Sequence, residues 1–470
     1  MRLILVKRTA VINVVGLSES CLGEQTPHLN QFIARNQKAL VTPAFPAVTC
    51  TAQSNYVTGQ PPRGHGIVAN GWYNRELAEV QFWKQSNHVV HGCKIWDDLR
   101  EKAPEVTCAK LFWWYNMYST ADYSITPRPM YPADGRKVFD IYTHPFSIRA
   151  EIKKDLGEFP FPAFWGPAAG TKGKFEPDQV SRWIADSAKW IENKHHPTLS
   201  LIYLPHLDYN LQRLGPRHPE IQNDFRRIDA ILGDLISFFE KSDIQVIVLS
   251  EYGISTVSEP VHLNQIFREK GWLAIKEEMG LELLDAGASK AFAVADHQVA
   301  HIYVNDRSIL SEVRSTLERV SGVERVLGAD EKIAARIDHP RAGDLIAIAA
   351  ENAWFTYYYW VDDSKAPDFA RTVDIHRKPG YDPVELFLDP AIKVPMVKIA
   401  AKLLRKKLGF RMLMDVIPLD AGLVKGSHGR VPSDKREFPI LIGPPQQISK
   451  PEFDSTEIYE VIKASVLARS

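Results

Sequence analysis

With 470 residues, the chain has room for one large domain carrying insertions, or for two domains. A composition that is 45% hydrophobic, 10% aromatic and 24% charged excludes a disordered or fibrous chain and supports a large buried core. Lys+Arg and Asp+Glu each total 57, so no overall field draws the protein to nucleic acid or to a membrane; an anionic small-molecule substrate needs a local charge cluster or a metal.

Residues 1–20 hold a short apolar run broken by Lys7 and Arg8, with no signal-peptide pattern. No run reaches the roughly eighteen apolar residues of a membrane span, and a cytoplasmic location is expected. Residues 10–17 are apolar and rich in β-branched side chains, the pattern of a strand buried on both faces. Thr26-Pro27 provides an N-cap and a first helical position for a helix over 27–35. Residues 107–114 read as a buried strand, 178–194 as a helix, 198–204 as a strand, 221–241 as a long amphipathic helix and 244–249 as a strand. Strands alternating with helices predict an α/β fold with a mainly parallel central sheet flanked by helices. Two stretches break the rhythm. Residues 115–174, rich in Pro, Gly and aromatics, read as an irregular insertion over the site, and 261–341 as a small α+β cap. The core is then 1–114, 175–260 and 342–470. Cys21, Cys50, Cys93 and Cys108 form no CxxC pair and read as reduced thiols.

The segment TPAFPAVTCTAQSNYVTGQPPRGHGIVANGW, residues 42–72, reads as a strand end, a Pro-flanked turn, a hydroxyl at Thr49 and a short helix closed by Gly59. A hydroxyl over the amide end of a helix suits an anionic substrate, phosphate above all. The segment resembles the nucleophile region of the alkaline phosphatase superfamily, in its type I phosphodiesterase / nucleotide pyrophosphatase branch. Phe45, Pro46, Thr49, Val57-Thr58-Gly59, Pro62, His65-Gly66-Ile67 and Asn70 stand at matching places. The resemblance implies that Thr49 attacks phosphorus and that the Asn70 amide holds the phosphate.

Three later segments fit the same family. In YLPHLDYNLQRLGP, residues 203–216, Asp208 matches a metal-binding Asp and Gln212 stands where a His is expected. In VLSEYG, residues 248–253, Glu251 and Tyr252 replace an Asp and a His. In GSHG, residues 426–429, His428 matches a third ligand. The first strand ends Val15-Gly16 where the family has Asp-Gly, with Asn13 and Glu19 the nearest polar replacements, and Thr51-Ala52-Gln53 replaces Pro-Asn-His. A paired-zinc centre is therefore not expected. One divalent ion held by Asp208, Glu251, His428 and His206 is expected instead, with zinc, manganese or iron preferred by that donor set.

Further polar residues are read as substrate-binding: Asn70, Asn116, Gln212, Tyr252, His297, His376, Arg377 and Lys378. Asp296-His297 with His301, and the turn DIHRKPGYD over 374–382, contribute to this set. The aromatic runs 112–118 and 354–363 read mostly as packing, with the remainder lining a pocket for a ring-bearing group. His65 reads as a turn residue. The function implied is a metal-dependent hydrolase of a phosphodiester, pyrophosphate or phosphate monoester, with Thr49 as nucleophile. The alternatives are a single-metal isomerase, lyase or transferase acting on a small polar metabolite, and a binding protein without turnover.

Overall fold

The computed structural model describes residues 4–134, 136–169, 176 and 178–469. Of the insertion expected over 115–174, residues 135 and 170–174 lie outside the described residues, as do 1–3, 175, 177 and 470 of the expected core.

A nine-stranded sheet forms the centre. Its order is Glu452–Asp454, Gln37–Thr42, Ile440–Gly443, Gln245–Leu249, Thr9–Val14, Leu199–Leu204, Cys108–Leu111, Tyr123–Pro127 and Ile141–His144. Pairings from Gln245–Leu249 to Tyr123–Pro127 are all parallel; Ile440–Gly443 and Ile141–His144 run antiparallel to their neighbours. The sheet is thus mixed and mainly parallel, as the unbroken apolar runs predict.

Period-two alternation sends the side chains of each strand into two separate cores. Ala10, Ile12, Val14, Val246 and Val248 pack with the helices Pro27–Ala34, Gln179–His195 and Ile221–Lys241. Val11, Leu201, Ile247 and Leu249 pack with Thr49–Thr58, Ile95–Lys102 and Ile458–Val466. Each fully buried Ile, Val or Leu contributes about 1.5–3 kcal/mol, which is why these strands tolerate no polar face. The helix Pro27–Ala34 is capped differently from expectation. Thr26 Oγ1 turns back to Gly23, and the free amides of His28 and Leu29 donate to the Asp229 carboxylate of the long helix, at 2.9 and 2.8 Å. A carboxylate accepting two amides outcompetes a local hydroxyl.

A second, four-stranded antiparallel sheet of Ala291–Asp296, Val299–Val304, Leu345–Ala349 and Val323–Leu327 stands beside the first. Its first hairpin turns at His297-Gln298, with His297 held at φ 62°. That left-handed conformation is uncommon for a residue with a Cβ and costs about 1 kcal/mol or more. Backbone and side-chain bonds to Phe355 and Asp296 hold it, and the hairpin tip carries His297 to the central sheet's functional end.

Candidate active site

Thr49 opens the helix Thr49–Thr58, which ends at Gly59 in the left-handed conformation at φ 66°. The preceding residues 43–48, with Pro43, Ala44, Pro46 and Ala47 around Phe45, turn the chain off the strand so that the Thr49 hydroxyl faces a narrow pocket of about 60 Å³. Asn70 is fixed alongside. Its carbonyl oxygen accepts from Cys50 N at 3.0 Å, and its amide nitrogen donates to Asp296 Oδ1 at 3.1 Å. The neighbouring Cys50 thiol is pushed well above its ordinary pKa by burial, so it is no thiolate nucleophile.

Two carboxyl groups flank the hydroxyl. Tyr252 Oη lies 3.0 Å from Thr49 Oγ1 and donates to Asp208 Oδ1 at 3.3 Å. Because the tyrosine proton goes to Asp208, the Thr49 proton is the one available to that contact. Asp208 Oδ2 accepts from Gln212 Nε2 at 2.8 Å, and Gln212 Oε1 accepts from Tyr381 Oη at 3.0 Å. Burial raises Asp208 to about 7, against the opposing pull of these donors. Glu251 Oε1 accepts from Asn13 Nδ2 at 2.5 Å and Gln53 Nε2 at 2.6 Å, while Oε2 is buried with no hydrogen-bond partner. Burial raises Glu251 to about 8, and the hydrogen bonds from Gln53 and Asn13 offset part of that rise.

His428 donates from Nδ1 to Ala47 O at 2.7 Å, which leaves Nε2 as a lone-pair nitrogen 3.8 Å from Asp208 Oδ1. Its ring belongs to a column of four: Tyr252, His428, His297 and Tyr381 succeed one another at centroid separations of 3.6, 3.7 and 3.6 Å. His297 Nδ1 meets Asp296 Oδ1 at 2.7 Å, and His297 Nε2 is buried without a partner. Burial lowers both imidazoles well below their ordinary pKa, so both are neutral donors to a cation.

A family model described as type I phosphodiesterase / nucleotide pyrophosphatase matches residues 9–382, a span that contains Thr49, Asn70, Asp208, Glu251 and His297. The chain belongs to that family. An uncharacterized pyrophosphatase/phosphodiesterase of Schizosaccharomyces pombe is 24% identical over 244 residues, 50% of this chain and 42% of that protein. The chain therefore spans less than half the length of that curated relative. Among solved structures, phosphonoacetate hydrolase from Sinorhizobium meliloti 1021 aligns with a TM-score of 0.61 at 14% identity, over 99% of this chain and 100% of that one. Murine ectonucleotide pyrophosphatase / phosphodiesterase 5 aligns with a TM-score of 0.58 at 15% identity, over 99% and 96%. At these identities the likeness carries the fold, which is that of the alkaline phosphatase superfamily.

Against the family pattern, the exchanged positions do one thing in common. Gln212 and Tyr252 donate to Asp208, and Gln53 and Asn13 donate to Glu251. Uncharged donors hold the two carboxyl groups where a pair of cations and their imidazoles would otherwise do so. Among the described residues no three of His, Cys, Asp and Glu stand together as ligands of one ion, so the four-ligand site expected from Asp208, Glu251, His428 and His206 is not formed: His206 turns away and Glu251 is held by Asn13 and Gln53. The donors left for a single ion are Asp208 and His428, with the unpartnered His297 Nε2 next to them.

The remaining residues singled out in the sequence stand elsewhere. His206 precedes the helix Leu207–Leu214 and turns toward Ser181 Oγ, at 3.0 Å, and toward Asp178. A two-residue offset in a helical turn puts His206 and Asp208 on opposite sides. Asn116 donates to the carbonyls of Lys110 and Ile125 and ties the insertion to the sheet. Lys378 is buried between Asp382 and Glu385, each at 2.7 Å, and Arg377 points out to pair with Asp368 at 3.2 Å. His65 and His301 bond to neighbouring backbone.

Tyr203, Tyr209, Tyr381, Trp83 and Trp165 line the pocket and were not visible as site residues in the sequence. Only Tyr381 had a local signal, its place in the polar turn 374–382. Trp83, Trp114, Phe164, Trp165 and Ile375 are shared with an adjoining chamber of about 570 Å³. His376, Lys84, Arg128, Lys137 and Lys406 line that chamber, and no Asp or Glu does so among the described residues.

Proposed function

We propose that this protein hydrolyses a phosphodiester or pyrophosphate bond of a small organic molecule, with Thr49 as the attacking oxygen. The observation that carries the reading is the Thr49 hydroxyl, 3.0 Å from Tyr252 Oη and with the Glu251 carboxyl beside it, at the floor of a pocket that Asn70 and Asp208 also line. Glu251 is the base in this reading. Its unpartnered oxygen, its raised pKa and its place beside Thr49 suit it to take the Thr49 proton as the oxygen closes on phosphorus. Tyr252 orients the Thr49 oxygen and is itself held by its hydrogen bond to Asp208. Asn70 positions a phosphoryl oxygen through its amide nitrogen, itself oriented by Asp296.

Family membership supports a divalent metal, and the residues that would hold one ion, zinc, manganese or iron, are Asp208 and His428, with His297 beside them. Such an ion supplies positive charge for the phosphoryl oxygens and lowers the barrier to charge build-up there. In the metal-free protein Asp208 is half protonated near pH 7, so uptake displaces a proton. The wider chamber, aromatic and cationic, favours a substrate with a ring-bearing or apolar group next to the anionic phosphate. Solved neighbours have been captured with AMP and with phosphonoformate, both small anionic phosphorus compounds.

Elemental analysis of protein purified without chelator is expected to find about one transition-metal ion per chain. His428→Ala should lose it, and dialysis at pH 6 should strip it more readily than at pH 8. Full turnover of bis-p-nitrophenyl phosphate by metal-free protein would remove the ion from the reading and leave Glu251 as the activating group. No metal and no turnover would favour the binding protein.

A further inference from the structure

Balanced charge totals conceal one strongly unbalanced segment. Residues 390–414 contain seven Lys and Arg and no Asp or Glu. Most of this segment is the helix Pro395–Lys407, in which no residue is buried. At 100° per residue, Met396, Val397, Ala400, Leu404 and Leu408 fall on one stripe. That stripe faces outward: Met396 is 69% exposed, Val397 64%, Leu404 58% and Leu408 65%, and Phe410 just beyond the helix is 61% exposed. The opposite side looks inward. Lys398 and Lys402 both pair with Asp415, and Ile399 packs on the second core. The helix is therefore inverted for a soluble protein, with its apolar face in solvent and two of its cations turned to the protein.

We infer that this helix and the turn after it dock the protein on an anionic phospholipid bilayer. An apolar stripe with cations along its borders is the composition of a helix that lies in the headgroup region, its leucines in the acyl boundary and its Lys and Arg at the phosphates. Arg405 flanks the stripe, Lys407 stands at its Met396 edge, and Arg411 follows Phe410 in the turn after the helix. A second copy of this chain is a poorer occupant, because face-to-face packing would oppose two identical sets of cations unpaired among the described residues, Arg405, Lys407 and Arg411. Nor does this element span the bilayer, since no helix among the described residues is long and apolar enough to cross one. The same helix supplies Leu403 and Lys406 to the wall of the 570 Å³ chamber, so docking brings that chamber to the lipid surface.

Vesicle flotation of the full chain tests this. Vesicles with about one-third phosphatidylserine are expected to carry the protein, and phosphatidylcholine vesicles to leave it behind. Arg405→Gln, Lys407→Gln and Arg411→Gln combined should weaken partitioning roughly a hundredfold, and Leu404→Glu with Leu408→Glu by at least as much. All five residues are exposed in the free protein, so circular dichroism and thermal unfolding of both variants should match wild type. Wild type that ignores phosphatidylserine vesicles, or leucine variants that float as well as wild type, would overturn the inference. So would a concentration-dependent dimer in sedimentation that Leu404→Glu with Leu408→Glu abolishes, which would assign the face to a second copy.

Discussion

Thr49→Ala is expected to lower turnover of bis-p-nitrophenyl phosphate by about a thousandfold or more, through kcat and with little change in KM. The size follows from the loss of the attacking atom itself: the remaining groups position and polarise phosphate but cannot bond to it. The fold should survive. The substitution removes one hydrogen bond, the 3.0 Å contact to Tyr252, at a cost of about 1 kcal/mol. Tyr252 keeps its partner Asp208, and Ala at the first position of a helix is well tolerated. Thr49→Ser, which retains the hydroxyl, should stay within about tenfold of wild type. Equal rates for wild type and Thr49→Ala would mean that water attacks directly and that Thr49 only lines the pocket.

Glu251→Gln should give a protein that is more stable and less active, and the two effects have one cause. Glu251 is held at about 8 by burial, above its ordinary 4.5. The folded protein thus binds this proton more tightly than the unfolded chain does. The associated stability is fully present below pH 4.5, is lost at up to about 1.4 kcal/mol per unit as the pH rises, and levels off above pH 8. A glutamine keeps the oxygen that accepts from Asn13 and Gln53 and replaces only the unpartnered oxygen. Unfolding in urea is expected to show equal stability for the two proteins near pH 4.5 and an advantage on the order of 5 kcal/mol for Glu251→Gln at pH 9. Turnover should fall by about a hundredfold or more, and the rising limb of the wild-type pH–rate profile, centred near 8, should vanish. An advantage that is the same at every pH would show that the charge on Glu251 is not what destabilises the fold.

The family's motifs are short contiguous stretches, which is why Thr49, Asp208 and His428 stand out in the chain and why the fold class and the family could be read from it. What the exchanged residues do could not. Gln212, Tyr252, Gln53 and Asn13 look like lost ligands in the sequence, yet each donates a hydrogen bond to a buried carboxyl group. His206 looked like a neighbour of Asp208 because it is two residues away. On a helical turn two residues amount to about half a revolution, and the imidazole faces Ser181. Asn116 and Lys378 carry the polar groups of a binding site but spend them on backbone carbonyls and on a buried acid pair. The aromatic walls were hidden for another reason: Trp83, Trp165, Tyr203 and Tyr381 come from separate stretches, and nothing local distinguishes them from core.

By itself, then, the sequence determined the strand and helix order, the mainly parallel sheet and the hydroxyl at the head of a buried helix. Periodicity and turn chemistry act over a few residues, and a strand buried on both faces has to be apolar throughout. Only the tertiary structure decided which acid stands beside Thr49, how far its pKa rises and which rings close the pocket. Those properties arise from desolvation and from contacts between residues as much as 381 positions apart, as in the Ala47–His428 bond.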